Sequence, residues 1–140
     1  MRRLIVVLFA LCVTLAPLGV PIALADDHGA LFVNATSDEG HRALMALTFA
    51  KNQLDRQHPV TIFLNDRGVL LTSRANEDRF KEQQALLMGL MKAGATVLVC
   101  PMCMQHYGVK EADLLPGIKV ASPELVGSAL FHGDTRALSW

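Results

Sequence analysis

The sequence predicts an α/β fold, in which a mostly parallel sheet of about five strands has helices on both faces. Five short apolar runs recur along the chain, and segments with helical features separate them. Serine, aspartate, proline and glycine stand at the boundaries between segments, where they cap helices or break the chain. Strands joined through helices run parallel, and such sheets are covered on both faces.

The first 25 residues have the three parts of a secretory signal peptide. Arg2 and Arg3 form a basic start, residues 4–15 form an apolar core, and Ala23-Leu24-Ala25 is a small-x-small cleavage site. The apolar core is shorter than the ~20 residues that a membrane-spanning helix needs, which favours cleavage over anchoring. This leader predicts export to a bacterial periplasm.

Residues 26–140 are enough for one small domain with a single core. They contain 11 Lys and Arg against 13 Asp and Glu, a net charge of −2, and no basic cluster. Such a surface argues against a nucleic-acid partner, and against a membrane partner once the leader is removed. Two cysteines remain, Cys100 and Cys103, and a nearby pair can be oxidised in the periplasm.

The domain begins with a strand and a helix. Residues 30–35 are a short apolar run typical of a strand, and the following Thr-Ser-Asp-Glu-Gly supplies N-cap chemistry for a helix starting near residue 39. Within residues 41–57, one helical face carries an apolar stripe of Ala43, Leu47, Ala50 and Leu54. Met45 and Phe49 form a second apolar stripe, which is either core packing or a subunit interface.

A second strand and a second long helix follow. His58-Pro59 ends the first helix, and residues 60–64 predict a buried strand. Asn65-Asp66-Arg67-Gly68 is typical of a turn, and residues 69–71 of a short apolar loop. Residues 78–93 predict a helix with Phe80, Leu87, Met88 and Met91 on its apolar side, Lys81, Glu82 and Gln84 elsewhere, and Gly94 after its end.

A third strand carries a thiol at its end. Residues 96–99 favour β structure, and Cys100 follows them directly, before Pro101. Proline suits the first position of a helix because its missing N–H would be unpaired there anyway, so Cys100 is the predicted N-cap. Backbone N–H groups and the positive end of the helix dipole would then favour the thiolate of Cys100. Cys100 is therefore the candidate nucleophile.

Two more strands complete the pattern. An acidic turn at residues 111–113 and Pro116-Gly117 precede a fourth strand at residues 118–121. Ser122-Pro123-Glu124 is a typical helix start, and the apolar side of this helix consists of Leu125, Val126, Ala129 and Leu130. Residues 135–140 form a last strand, which polar residues interrupt and which we therefore place at a sheet edge.

Sites in parallel sheets form at the carboxyl ends of the strands. Asn34, Thr36 and Asn65 stand at the ends of the first two strands, and Cys100 stands at the end of the third. We therefore take the two asparagines and Thr36 as candidate substrate-binding residues. Tyr107, from the cysteine segment, is a further candidate, and packing under the loop is its alternative role.

The Cys-x-x-Cys spacing suits three different roles. In thiol chemistry, the Cys100 thiolate attacks and Cys103, one turn away, resolves the product without a cofactor. In a soft-metal or copper site, the same pair would bind together with Met104 and His106. A structural zinc site would need two further ligands, and no second cysteine pair exists in the sequence. The third role is structural, in an oligomer whose inert disulfide only staples the loop.

Over residues 30–140 the chain resembles the DsrE/DsrF-like sulfur-relay proteins. The resemblance rests on residues 65–69 (Asn-Asp-Arg-Gly-Val), on Cys100 with Gly108, and on residues 115–118 (Leu-Pro-Gly-Ile). It implies a three-layer α/β/α fold, assembly into trimers or hexamers, and a reactive cysteine at position 100 that carries sulfur as a persulfide. The leader and Cys103 depart from the cytoplasmic relay members, which argues against a role in tRNA thiolation.

The leader predicts that the mature protein begins at Asp26, because cleavage follows the small-x-small motif. Amino-terminal sequencing of the protein isolated from its native periplasm tests this. Recovery of the chain from the membrane fraction with Met1 retained would contradict it and indicate an anchored protein.

Overall fold

The structure, a computed structural model, describes residues 29–140, so the predicted leader lies outside the described residues. Within residues 29–140, five parallel strands form one sheet in the order β4-β3-β2-β1-β5. The strands are β1 (Leu31–Ala35), β2 (Val60–Leu64), β3 (Thr96–Val99), β4 (Lys119–Val120) and β5 (Arg136–Ser139). The predicted α/β class and parallel sheet are confirmed.

Four α-helices and three short 3-10 helices connect the strands of this part of the chain. The α-helices are α1 (Gly40–Asp55), α2 (Glu77–Lys92), α3 (Pro101–Tyr107) and α4 (Pro123–Leu130). The 3-10 helices span Asp66–Thr72, Arg74–Asn76 and Glu111–Asp113. None of the helices in residues 29–140 has both the length and the apolar character needed to cross a membrane.

The main core lies between the sheet and helices α1 and α2. Alternate residues of the central strands point into it, among them Val33, Ile62 and Val97, all of which are buried. Ala46 and Ala50 of α1 are buried against the sheet, where small side chains allow the helix to lie close. Each large apolar side chain that is fully buried stabilises the fold by about 1.5–3 kcal/mol relative to its exposed state.

Helix α1 is capped by a residue that the N-cap preferences do not favour. The side chain of Glu39 accepts hydrogen bonds from the N–H groups of His41 and Arg42, at 3.0 and 2.7 Å. The predicted first stripe of this helix is in the core. In the second stripe, Phe49 packs on Trp140 with ring centroids 5.4 Å apart, whereas Met45 is 45% exposed.

Helix α2 corrects two sequence predictions. Met88, placed on the apolar side, is 44% exposed, and Gln84, placed away from it, is 2% exposed. Gln84 is tolerated in the interior because its Nε2 donates to the carbonyl of Ser73 at 2.8 Å. Phe80 and Leu87 are buried as predicted, and Leu90 joins them.

Helix α4 lies over the opposite face of the sheet and is only partly packed. Ser122 caps it by accepting from the N–H of Leu125 at 3.2 Å, as predicted. No residue of α4 is fully buried, and the predicted apolar side is therefore half-open to solvent, with Leu125 44% exposed. The fourth strand is shorter than predicted, and the last strand lies at the edge of the sheet, as predicted.

The segment after β2 is a 3-10 helix, Asp66–Thr72, where a turn and an apolar loop were predicted. Val69 and Leu71 are buried, so this helix is part of the core. Gly68 donates its N–H to the carbonyl of Thr36 at 3.1 Å. A Cβ at position 68 would lie against the backbone carbonyl of Ala35, well inside contact distance.

Gly68→Ala is therefore expected to lower the free energy of unfolding by about 1–3 kcal/mol, because the clash is with backbone that cannot move aside easily. Urea unfolding measures the change.

Gly89→Ala is the matched control. Gly89 lies inside α2 with open space around it, so alanine there is expected to stabilise the protein by about 0.5–1 kcal/mol. Equal effects of the two substitutions would contradict the close approach at Gly68.

Candidate dithiol site

The carboxyl ends of the strands meet at one edge of the sheet. The residue directly after each of the strands β1 to β4 donates its N–H to a backbone carbonyl at 2.9–3.1 Å. The acceptor lies in a neighbouring strand or is the residue that directly follows that strand. These bonds are Thr36 to Trp140, Asn65 to Ala35, Cys100 to Leu64 and Ala121 to Val99. The hydrogen bonds between neighbouring strands thus continue one residue past the strand ends. They fix the backbone of Cys100.

Cys100 is the N-cap of α3, as the sequence predicted, with Pro101 at the start of the helix. Its Sγ accepts two hydrogen bonds from Cys103, one from the backbone N–H at 3.4 Å and one from the thiol at 3.0 Å. Both cysteines are half-buried. Donors aimed at a sulfur favour its anionic form, so the geometry suits Cys100 as the nucleophile.

Cys103 has a different environment. Its thiol donates to Cys100, and its Sγ accepts the backbone N–H of Asp66 at 3.1 Å. Burial and the hydrogen bond to Cys100 raise the pKa of the Cys103 thiol, and the N–H of Asp66 opposes them. Burial and the bond to Cys100 thus favour the protonated form of Cys103.

Asp66 joins the 3-10 helix to the cysteine segment. Its backbone is left-handed, with φ +45°, and the hydroxyl of Tyr107 donates a hydrogen bond to its carboxylate. This bond is the main cause of a raised pKa at Tyr107. The structure thus brings Tyr107 to the thiols through Asp66, a residue that the sequence indicated only as part of a turn.

The other predicted substrate-binding residues contact each other. Asn65 donates its side-chain amide to Asn34, and Asn34 donates to Ser139 at 3.2 Å. The hydroxyl of Thr36 donates to the carbonyl of Trp140 at 2.6 Å. These contacts join the ends of neighbouring strands, and substrate binding by the three residues stays a prediction.

The two further ligands of the alternative soft-metal site, Met104 and His106, do not both lie at the surface. Met104 is buried with Val69, Val99 and Val109, and His106 is exposed with its ring edge-on to Tyr107, centroids 4.7 Å apart. Over residues 29–140, no three His, Cys, Asp or Glu side chains form a group that could hold a metal ion.

An ion cluster around the buried carboxylate of Asp38 borders the site and was missed by sequence reasoning. Asp38 is 7% exposed, and its carboxylate accepts from Arg67 at 2.7 and 2.8 Å and from Arg79 at 2.8 Å. The hydrogen bond from Arg67 is the largest cause of a lowered pKa at Asp38. Arg67 also lies 5.9 Å from the centre of the Tyr107 ring. Side-chain contacts of both Asp66 and Arg67 therefore fix the start of the 3-10 helix Asp66–Thr72.

A cleft of about 330 Å³ lies elsewhere, between α4 and the sheet. Its lining includes Thr61 and Thr96, near the amino ends of β2 and β3, and Leu125 of α4. The thiols are at the other ends of the strands and outside this cleft.

A parallel sheet with helices on both faces and a thiol pair after its third strand defines a class of small α/β thiol proteins. The profile of the DsrE/DsrF-like family matches residues 28–135. This chain belongs to the DsrE/DsrF-like family, as its resemblance implied.

Two curated relatives are similar to part of this chain, and a solved structure has a similar fold. An uncharacterised protein of Methanocaldococcus jannaschii is 37% identical over 82 residues, which cover 58% of this chain and 72% of that protein. One of Methanopyrus kandleri is 34% identical over 82 residues, covering 58% and 68%. The fold is similar to that of the ychN protein from E. coli, with a TM-score of 0.69, 15% identity, and coverage of 80% of this chain and 99% of the other.

The ion cluster predicts a pH-dependent contribution to stability. Asp38→Asn is expected to lower the free energy of unfolding by about 1–2 kcal/mol at pH 7, because charged hydrogen bonds to two arginines are lost. Since the pKa of Asp38 is lowered in the fold, this contribution is present above its unfolded pKa of ~3.9 and disappears as the pH falls through the folded value.

Urea unfolding between pH 2 and pH 7 measures the difference from wild type. Asp55→Asn is the control, since the Lys51–Asp55 pair is exposed on both sides and worth little. A cost for Asp38→Asn that stays constant down to the lowest pH would refute the ionic origin.

Proposed function

We propose that this protein is an exported DsrE-like sulfur carrier that works by thiol chemistry in the periplasm. Membership of the DsrE/DsrF-like family supports a sulfur-relay or redox role in general. The observation that carries the proposal is the arrangement of the two thiols. Cys100 accepts hydrogen bonds from both the N–H and the thiol of Cys103, with the two sulfurs 3.0 Å apart.

In the loading step, the Cys100 thiolate attacks the outer sulfur of a persulfide or polysulfide donor. A bond forms between Cys100 Sγ and that sulfur, and the sulfur–sulfur bond of the donor breaks, with its electron pair leaving on the donor thiolate. The product is a persulfide on Cys100. No oxidant and no cofactor is needed, because the sulfur is transferred at its existing oxidation state.

In the unloading step, the persulfide has two possible fates. The thiolate of an acceptor protein or small thiol attacks the outer sulfur, which returns Cys100 to its thiolate form. Alternatively, Cys103 attacks Cys100 Sγ, which forms a disulfide and expels the outer sulfur. The short distance between the two sulfurs makes the second route available within the same molecule.

The partners proposed here are therefore a sulfur donor, a thiol acceptor and further copies of this chain. Large apolar side chains on the surface support a homo-oligomer, a trimer or hexamer as the family resemblance implies. They include Met45, Met88, Leu125, Phe131 and Leu138. The predicted export signal supports a function outside the cytoplasm, away from nucleic acid.

Cys100→Ser is expected to abolish both sulfur loading and alkylation at low pH, because the serine hydroxyl is a far weaker nucleophile. Cys103→Ser should keep Cys100 reactive and retain the persulfide longer, since the internal route is lost. The measurements are iodoacetamide labelling against pH and intact mass after polysulfide treatment, in which each bound sulfur adds about 32 Da.

Each cysteine variant serves as the control for the other, because both remove one thiol from the first turn of α3. Faster alkylation of Cys103 than of Cys100, or equal loading of both variants, would overturn the assigned roles. Metal retained by the reduced protein in native mass spectrometry would instead favour the soft-metal alternative with Met104 and His106.

A further inference from the structure

The cleft between α4 and the sheet has no role in the proposed sulfur chemistry. Its volume is about 330 Å³, and it lies near the amino ends of β2 and β3, whereas both thiols follow the carboxyl end of β3. Ligand pockets of proteins measure roughly 300–1,000 Å³, so the cleft has the size of a site for a small molecule. The side chains that line it indicate the chemical class of that molecule.

The floor of the cleft carries two hydroxyls, although the strands of a parallel sheet that is covered on both faces are normally apolar. Thr61 of β2 and Thr96 of β3 are partners in the register of the two strands, so their side chains point to the same face. Both are half-buried and line the cleft. Ser128 of α4 and His132, just after this helix, add polar groups from the opposite wall.

A positive charge lies on the same face as these hydroxyls. Lys119 begins β4 and is the register partner of Leu98, which is two residues after Thr96 and therefore on its face of the sheet. Lys119 is exposed and forms no salt bridge within residues 29–140. None of the described residues that line the cleft is Asp or Glu, and Glu124 and Asp134, on α4 and shortly after it, lie outside the lining. The walls are thus complementary to a negative charge.

The rest of the lining is mainly apolar. Leu98 is buried in the sheet, and Leu125 and Ala129 of α4 belong to the facing wall. Leu125 is 44% exposed, so its apolar surface is covered incompletely by the chain itself. A bound hydrocarbon group would remove part of this surface from water, which favours binding. The cleft therefore matches a molecule with an apolar body and one anionic end.

We propose that this cleft binds a small amphipathic carboxylate. The carboxylate group lies at Lys119 and accepts hydrogen bonds from the hydroxyls of Thr61 and Thr96. The hydrocarbon part lies between Leu98 and the wall that contains Leu125, and the volume of about 330 Å³ limits it to a short chain or a ring. The inference goes beyond the proposed sulfur transfer and does not depend on it, because the thiols are outside the cleft.

The first test uses octanoate as the probe and octanol as its uncharged counterpart with the same chain, in calorimetric titrations of the purified protein. Lys119→Met should weaken octanoate binding about three- to tenfold and leave octanol binding unchanged, because methionine keeps an apolar side chain and removes the charge. Lys81→Met is the matched control. It removes an exposed lysine of α2, on the other face of the sheet, and should change neither affinity.

The second test fills the cleft. Ala129→Leu should weaken the binding of both octanoate and octanol by about tenfold or more, since the larger side chain occupies the space of the ligand. Ala85→Leu is its control, because Ala85 is exposed on α2 and outside the lining. Unfolding midpoints establish that each variant is folded. Lys119→Met changes an exposed side chain and remains decisive if Ala129→Leu does not fold.

The outcomes separate this proposal from its alternatives. No binding of octanoate to the wild type, or binding that neither Lys119→Met nor Ala129→Leu weakens, would overturn it. Equal losses of octanoate and octanol in Lys119→Met would refute the carboxylate class. If octanoate does not bind and Ala129→Leu changes the mass measured by light scattering, another copy of this chain covers the cleft and the proposal is wrong.

The sulfur carrier function stands or falls separately. Alkylation of Cys100 should be the same in Lys119→Met as in the wild type, because the two sites lie at opposite ends of β3. A protein that binds octanoate as expected but takes up no sulfur from polysulfide would overturn the carrier function and support the carboxylate site.

Discussion

The site depends on one close contact, in which the chain after β2 folds back over the end of β1. Asn65 donates its N–H to the carbonyl of Ala35, and Gly68 donates to that of Thr36. Only a residue without a Cβ fits at position 68, where the backbone of Ala35 is in contact. This contact directs Asp66 towards Cys103 and Arg67 towards Asp38, so the thiol environment and the ion cluster share one origin.

The strands and the position of the nucleophile could be predicted from the sequence because local chemistry determines them. Residues 60–64 and 96–99 are apolar and β-branched between clear breaks, and their predicted bounds match the structure. A cysteine that stands between the end of such a strand and a proline has few alternatives to being the N-cap of the following helix. That Cys100 would lie at the carboxyl edge then followed from the parallel sheet alone.

The rest could not be predicted, because contacts between distant residues decide it. Asp38 is a favoured N-cap type and Glu39 is not, yet Glu39 caps the helix while the carboxylate of Asp38 binds Arg67 and Arg79, 29 and 41 residues away. Gln84 is buried because of another distant contact. Its partner is the backbone carbonyl of Ser73, which lies between the first two 3-10 helices. The left-handed Asp66 has no local signal beyond being an aspartate in a turn.

The two sulfur atoms have different hydrogen-bond partners. Neighbouring cysteines of one motif can therefore have separate roles. The sulfur of Cys100 accepts two hydrogen bonds, both from Cys103. These bonds are local and form when the first turn of α3 is intact. At Cys103, burial and the hydrogen bond to Cys100 raise the pKa of the thiol, and the N–H of Asp66, from a different segment, opposes them. The same 3-10 helix that supplies the N–H of Asp66 also carries Arg67, which pairs with Asp38. The asymmetry of the pair is thus a property of the 3-10 helix as much as of the Cys-x-x-Cys motif.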